Sequence, residues 1–175
     1  MKEERQSARK LGFMGESYVL YKLSALGLYG TKMPSEFDYD ILCSNDARIE
    51  VKAARLTTRN MQYKRLDGTR KTEDVWQFSN HITQVNGKNG ERRMSFKRRD
   101  RKCDFFIFVC FDREGKEIVK SYVIPKELVT KAINIKIPVN TDHLKIGVWE
   151  EEWLSLVNFT REPEKEVVMI GGSER

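Results

Sequence analysis

Apolar and polar positions along the chain alternate in a way that predicts a sheet framed by a leading helix. Over residues 7–26, Phe13, Leu20 and Leu23 recur near helical spacing, and Val19 and Leu26 widen the stripe. Gly27 then stands where a helix is commonly closed. Residues 37–43 and 48–54 read as two strands joined by the turn-forming Ser44-Asn45-Asp46-Ala47. Residues 56–72 are polar and basic, with Gly68 as a turn. Val75-Trp76-Gln77-Phe78-Ser79 alternates as a further strand. Asn86-Gly87-Lys88-Asn89-Gly90 reads as a flexible loop tip, and residues 91–102 are too charged to be core. The near-continuous apolar run of 103–111 is the pattern of a central strand covered on both faces. Residues 118–124 give the next strand, and Pro125 can open a helix over roughly 126–133. Ile133, Ile135, Ile137 and Val139 alternate, with Pro138 on the other face, as in an edge strand. Trp149, Trp153, Leu156 and Val157 fit one face of a last helix.

These elements amount to an α/β fold: a mixed central β-sheet flanked by helices. One domain is expected over residues 1–160. Residues 161–175 form a tail free to fray, although Val167-Val168-Met169-Ile170 has the pattern of a segment that can pair or dock. A chain of 175 residues suffices for one substantial core. There is no apolar stretch near the ~18 residues of a membrane helix. The charged N-terminus lacks an apolar signal core. Cys43, Cys103 and Cys110 show no CxxC spacing; Cys43 and Cys110 read as buried thiols in apolar strands. A reducing cytoplasm is the expected location, with no membrane partner.

Charge changes the picture. The net charge is +6, but residues 52–102 hold fifteen Lys/Arg against five Asp/Glu. The flanking stretches are slightly acidic. A basic run is commonly no more than a solvated face. This one abuts a motif with phosphate chemistry, which favours a polyanionic partner.

That motif is Asp40 followed by Glu50-Val51-Lys52. Strand side chains alternate, so Glu50 and Lys52 share a face while Val51 points to the other. Burying charges is costly unless they are paired or hold a metal. Carboxylate oxygens suit Mg²⁺. A lysine beside them can hold the attacking water or stabilise charge on phosphorus. Parity gives a test. Asp40 faces the same way as Glu50 only if it lies opposite an even-numbered residue, so the connecting loop must be odd in length. A two-residue Asn45-Asp46 turn would set Asp40 against Val51. A loop of three or five residues, or a bulge, is expected. Asp38 is the rival first acid, since it shares a face with Asp40 in a regular strand.

Together with Gly15-Glu16 in the first helix, the late strand Cys103-Asp104-Phe105-Phe106-Ile107-Phe108-Val109 and Tyr122-Val123-Ile124-Pro125, this layout resembles the PD-(D/E)XK nuclease superfamily. It is closest in arrangement to group I intron-associated homing endonucleases and Holliday-junction-resolvase-like nucleases. The match runs over about residues 11–125. Tyr39 stands where the superfamily's name expects proline, a position often changed in such families. The resemblance implies a restriction-endonuclease-like fold and a metal-dependent DNA endonuclease of homing, restriction or resolvase type. It implies Mg²⁺, with Mn²⁺ as substitute, held by Asp40, Glu50, the Val51 carbonyl and Glu16. Asp40, Glu50 and Lys52 would be catalytic. Cuts would leave 5′-phosphate and 3′-hydroxyl ends. Double-stranded or branched DNA would be gripped by Arg55, Arg59, Arg92, Arg93, Lys97, Arg98 and Arg99. A homodimer or homotetramer is expected, because two-strand cleavage needs two sites. From spacing alone, Glu16 reads as a solvated helix acid, and it is the resemblance that raises the metal-facing role beside it. The alternative is a non-catalytic DNA-binding module of the same fold. Asn80-His81 lacks the second histidine of an HNH site, so His81 reads as a loop residue near DNA. No GxGxxG or GxxxxGKS loop supports nucleotide use. Tyr63, Trp76 and Phe96 among basic residues are weak signs of base stacking.

Overall fold

The computed structural model describes residues 2–64, 68–79, 82–86, 93–97, 102–129, 134–141 and 145–161. It is a mixed α/β fold. Helix α1 (Lys2–Ala25) is followed by β1 (Gly30–Lys32), β2 (Ile41–Cys43), β3 (Arg48–Lys64), β4 (Arg70–Ser79), β5 (Ile82–Asn86), β6 (Arg93–Lys97), β7 (Phe105–Phe111), β8 (Ile118–Pro125) and β9 (Asn134–Pro138). A four-residue helix α2 (Leu154–Val157) closes the described chain. Seven strands form one sheet ordered β1-β2-β3-β4-β9, with β7 paired to β3 and β8 to β7; β5 and β6 form a separate pair. All pairings are antiparallel except β3 with β7. No helix among the described residues is long and apolar enough to cross a membrane.

The long strand β3 organises the molecule. Its first half lies between β2 and β7, and its second half pairs with β4. Two cores result, one on each face. Odd-numbered residues Ile49 and Val51 pack with Ile107, Val109 and Val123, under Leu11, Val19 and Leu23 of α1. Even-numbered Phe106, Phe108, Cys110, Tyr122 and Ile124 pack with Trp76 and Phe78 of β4 and Ile137 of β9. A helix therefore covers one face, and strands cover the other where a second helix layer was expected. Strand β7 is buried at every position, as its unbroken apolar run predicts. The indole of Trp76 donates to the Phe111 carbonyl at 2.7 Å, which ties the two layers together.

The buried stripe of α1 is rotated from the expected one. Leu11, Val19 and Leu23 are buried, but Phe13 is 63% exposed and Leu26 lies at the surface. Gly15 explains the rotation. A Cβ built there would stand 3.1 Å from the Ala53 Cβ and 3.6 Å from Val51 Cγ1. The helix thus meets β3 through a residue without a side chain, and the stripe follows spacing of four from Leu11. Hydrophobicity alone does not register a glycine at such a contact. Gly15→Leu is expected to lower stability by about 1–3 kcal/mol by overpacking. In Gly15→Ala, a helix-propensity gain of up to about 1 kcal/mol offsets the tight contact. Urea midpoints check both, and an unchanged midpoint for the leucine variant would show that the helix stands farther from the strand. The helix closes as expected at Gly27, with φ of 78°. Leu28 N–H bonds Leu23 C=O at 2.9 Å and Gly27 N–H bonds Ser24 C=O at 3.1 Å, a Schellman closure.

Other expectations are corrected. The first strand is shorter than residues 37–43, because Met33 N–H bonds the Asp40 carbonyl and Phe37 N–H bonds the Pro34 carbonyl, bending 33–40 into a loop. Strand β3 continues to Lys64, through a stretch read only as polar and basic. After Pro125, the described chain makes only one turn of 3-10 helix, Lys126–Leu128, where a helix over 126–133 was expected. The last expected helix is divided into a 3-10 segment, Lys145–Trp149, and α2. The break falls at Glu151, whose φ of 52° is left-handed. The edge strand at β9 appears as read, pairing with β4 alone. Cys43 and Cys110 are buried thiols as read; burial pushes Cys43 up to about 12 and raises Cys110 further. Beyond Arg161, the tail lies outside the described residues.

The left-handed Glu151 gathers five donors. Its carboxylate accepts from Ser121 N–H at 2.9 Å, Ser121 Oγ at 2.5 Å, Tyr18 Oη at 3.5 Å, Lys22 Nζ at 3.1 Å and Trp153 Nε1 at 3.0 Å. Burial opposes its charge, but hydrogen bonds from Ser121, Lys22 and Trp153 outweigh burial and hold it below its ordinary 4.5. A depressed carboxylate stabilises the fold above its unfolded pKa and stops doing so as pH falls through the folded one. Glu151→Gln should therefore melt below wild type at pH 7, with the gap closing as pH falls below the ordinary glutamate range. A gap independent of pH would show that charge at Glu151 is immaterial.

Candidate active site

The site is set by the hairpin β2–β3. Ile41 lies opposite Ile49 and Leu42 opposite Arg48. Cys43 N–H bonds Ala47 C=O at 2.9 Å and Asp46 N–H bonds Cys43 C=O at 3.0 Å. The loop is thus Ser44-Asn45-Asp46, three residues, with Asp46 left-handed at φ 63°. This is the usual three-residue hairpin connection. It has the odd length that parity requires. One step further, Asp40 N–H bonds Ile49 C=O at 2.8 Å, one residue out of the register of Ile41 with Ile49, so regular alternation ends at Asp40 and parity does not place it on the face of Glu50. Asp38 falls in the bent segment before β2, so the shared-face argument for it as the first acid does not hold.

Glu50 is 2% exposed. In the parallel register it lies beside Phe106, and Lys52 lies beside Phe108. Phe106 and Phe108 stack with centroids 6.0 Å apart, and Phe78 meets Phe108 edge-on at 4.9 Å. Within this aromatic wall, Lys52 Nζ contacts Glu50 Oε1 at 2.7 Å. The other oxygen, Glu50 Oε2, is buried. Asp40 closes the arrangement from the side: its Oδ2 accepts the Val51 N–H at 2.7 Å. Beyond Ile41 the β2 ladder has ended, so the carboxylate serves the amide that a continuing strand would have served. Asp40 and Lys52 remain partly open to solvent, while Glu50 is closed in.

The remaining expected site residues separate from this trio. Glu16 Oε2 pairs with Lys32 Nζ at 2.5 Å, and the same ammonium sits 5.1 Å from the Phe13 ring centroid. Among the described residues no group of three or more His, Cys, Asp or Glu is placed to hold a metal ion, so Glu16 is not gathered with Asp40 and Glu50. Arg55 donates to Ser7 Oγ near the start of α1. Arg59 makes a two-nitrogen pair with Glu73 across β3–β4, at 2.7 and 3.1 Å. Both guanidiniums are thus engaged within the chain. Arg93 and Lys97 lie on β6. Arg92, Arg98, Arg99 and His81 lie outside the described residues.

Three residues near the trio escaped the sequence reading. Tyr39 packs against the even-face core, with the Arg48 guanidinium 5.8 Å from its ring centroid. Asp104 accepts the Arg48 N–H at 2.7 Å and pairs with Arg161, fixing the start of β3 against β7. Lys32, the partner of Glu16, lies on β1, a three-residue strand too short to show a periodic signal.

The chain matches no protein-family model, no curated protein and no solved structure.

Proposed function

We propose that the protein is a metal-dependent DNA endonuclease of restriction-endonuclease-like fold, with Asp40, Glu50 and Lys52 as its catalytic residues. One observation carries the reading: the Glu50–Lys52 pair is set into an apolar sheet face, with the Asp40 carboxylate bonded to the amide of Val51 between them. Replacing a buried ion pair with apolar residues is often neutral or stabilising, so stability alone gives little reason to keep one there. Chemistry gives a reason. Two carboxylates and the Val51 carbonyl are hard oxygen donors, and Mg²⁺ takes one or two carboxylates while keeping waters. The donor set fits that ion. A bound Mg²⁺ would supply Lewis acidity at the scissile phosphate.

The chain's own residues do the rest. The Val51 amide holds the Asp40 carboxylate in one orientation. The aromatic wall excludes water from Glu50 and strengthens every charge interaction beside it. Lys52 holds the nucleophilic water or meets negative charge developing on phosphorus. DNA is the proposed substrate because the chain's excess positive charge follows directly after this site in sequence. A homodimer or homotetramer would bring two such sites to the two strands.

The test is incubation of the purified protein with supercoiled, linear and branched DNA, in Mg²⁺ or in EDTA. Mg²⁺-dependent cutting that leaves 5′-phosphate ends is expected. No cutting of any of the three substrates at any protein concentration would overturn the reading.

A further inference from the structure

We propose that Arg48 is a phosphate-binding residue of the same site, gripping a backbone phosphate beside the scissile one while Tyr39 holds its guanidinium in place. This rests on the nuclease reading above and adds a substrate contact to it. The placement follows from strand β3. Its pairing with β7 runs without a shift from Ile49 against Phe105 to Arg55 against Phe111, and Asp104 N–H continues the ladder to the Arg48 carbonyl at 2.8 Å. Alternate residues of a regular strand share a face. Arg48 therefore stands in line with the Glu50–Lys52 ion pair, two residues before Glu50 and roughly 7 Å from it along the strand. Leu42 lies opposite Arg48 on β2, and the Asp104 carboxylate accepts the Arg48 N–H at 2.7 Å, so the backbone that aims this side chain is fixed from both sides.

The side chain lies where the backbone sends it. Its guanidinium stands 5.8 Å from the centroid of the Tyr39 ring, and Tyr39 packs against the cluster of Phe106 and Phe108 that walls Glu50. Phe37 meets Tyr39 edge-on at 5.7 Å and steadies the ring. Asp40 follows Tyr39 directly, with its carboxylate on the Val51 amide. One short segment thus supplies both a carboxylate of the site and the ring beside Arg48. The Asp104 carboxylate, which meets the Arg48 backbone, is matched in charge by Arg161. Arg48 and Lys52 are partly open to solvent, one on each side of the enclosed Glu50.

Residue type decides what this position can do. A guanidinium presents its donors in a rigid fork that meets phosphate oxygens two at a time, and it stacks on aromatic rings; an ammonium is a point charge. Tyr39 limits the orientations of the fork, so less freedom is lost when a phosphate arrives. A cation before the buried carboxylate and another after it suit a run of phosphates along one strand. Holding the phosphate next to the scissile one sets the reacting bond against Lys52, and such positioning is worth a large part of a barrier. Arg48 lies outside the basic stretch of residues 52–102, so counting charge along the chain does not find it.

The experiment uses the full-length protein, Mg²⁺ and a duplex that the wild type cuts at one mapped position. Methylphosphonates, in which a methyl group replaces one charged oxygen, are placed singly at the phosphates around the cut. Arg48→Ala should lower kcat/KM by roughly ten- to a hundredfold. One flanking methylphosphonate should slow the wild type by a similar factor and leave Arg48→Ala almost unaffected, because each change removes the same contact. Arg48→Lys keeps the charge and should still lose about tenfold with the fork; it carries the same comparison if the alanine variant melts below the assay temperature. Tyr39→Phe should cut as wild type, whereas Tyr39→Leu should lose rate alone and nothing further beside Arg48→Ala. Wild-type kcat/KM in Arg48→Ala would overturn the proposal. So would penalties of the variant and of every methylphosphonate that simply multiply, since Arg48 would then act through the fold and not at a phosphate. Either result leaves the nuclease reading standing, and a wild type that cuts no DNA overturns both.

Discussion

Lys52→Ala is expected to abolish DNA cleavage and to destabilise the fold at once, and the two losses can be separated. Glu50 is shut inside an aromatic wall with Lys52 as its 2.7 Å counter-charge. Removing one partner of a buried pair costs about 3–5 kcal/mol, and the partial opening of Lys52 to solvent puts this case at the lower end. The neutral pair Glu50→Gln/Lys52→Met removes both charges and should recover most of that stability. It should recover none of the cleavage. Asp40→Asn keeps an acceptor for the Val51 amide, so it should fold well and still fail to cut. Each loss of a group that stabilises the transition state should lower the rate by about 10²-fold or more. Thermal or urea melts beside cleavage assays check both limbs. Wild-type turnover by any of these variants removes that residue from the mechanism. A Lys52→Ala protein as stable as wild type would show that Glu50 does not depend on its ammonium neighbour.

The metal dependence should be equally large. Mg²⁺ and Mn²⁺ should support cutting, whereas Ca²⁺ should support DNA binding with at least about 100-fold less chemistry. The larger ion takes six to eight oxygens in a flexible geometry and positions the water poorly. The binding and cleavage assays must be run on the same DNA, so that loss of chemistry is not mistaken for loss of affinity. Undiminished cutting in excess EDTA excludes the metal mechanism.

What the sequence made legible follows from how strongly each signal is coupled to burial. The run Phe105-Phe106-Ile107-Phe108-Val109-Cys110-Phe111 could only be a strand covered on both sides, and it is. The odd-length loop after Cys43 was legible from parity, but the out-of-register bond from Asp40 N–H to the Ile49 carbonyl, which ends the alternation at Asp40, leaves no trace in the sequence. Strand β3 beyond Ala54 was not legible, because residues 55–61 are half-buried or exposed and carry no apolar alternation. The β-branched Thr57 and Thr58 were the available signal, and each lies opposite a residue of β4. Phe13 misled because an apolar residue was counted and Gly15 was not, although it is the glycine that fixes which side of α1 meets the sheet. Glu16 was legible as a helix acid near the sheet, but its pairing with Lys32 depends on β1, whose three residues leave no pattern. The break at Glu151 was hidden because its left-handed backbone goes with long-range bonds to Ser121, Tyr18 and Lys22, which no local window contains.

The bond from the Val51 amide to the Asp40 carboxylate also makes the site observable without any substrate. That proton belongs to the backbone of a buried strand yet bonds a group proposed to take part in catalysis. Its NMR chemical shift should move as Mg²⁺ is added, while the amides of Ile107 and Val109 on the neighbouring strand serve as internal references. Its exchange with deuterated solvent should quicken in Asp40→Ala, which removes the acceptor, and stay slow in Asp40→Asn, which keeps one. A single resonance would then report the state of the carboxylate from within the core, before a single phosphodiester is broken.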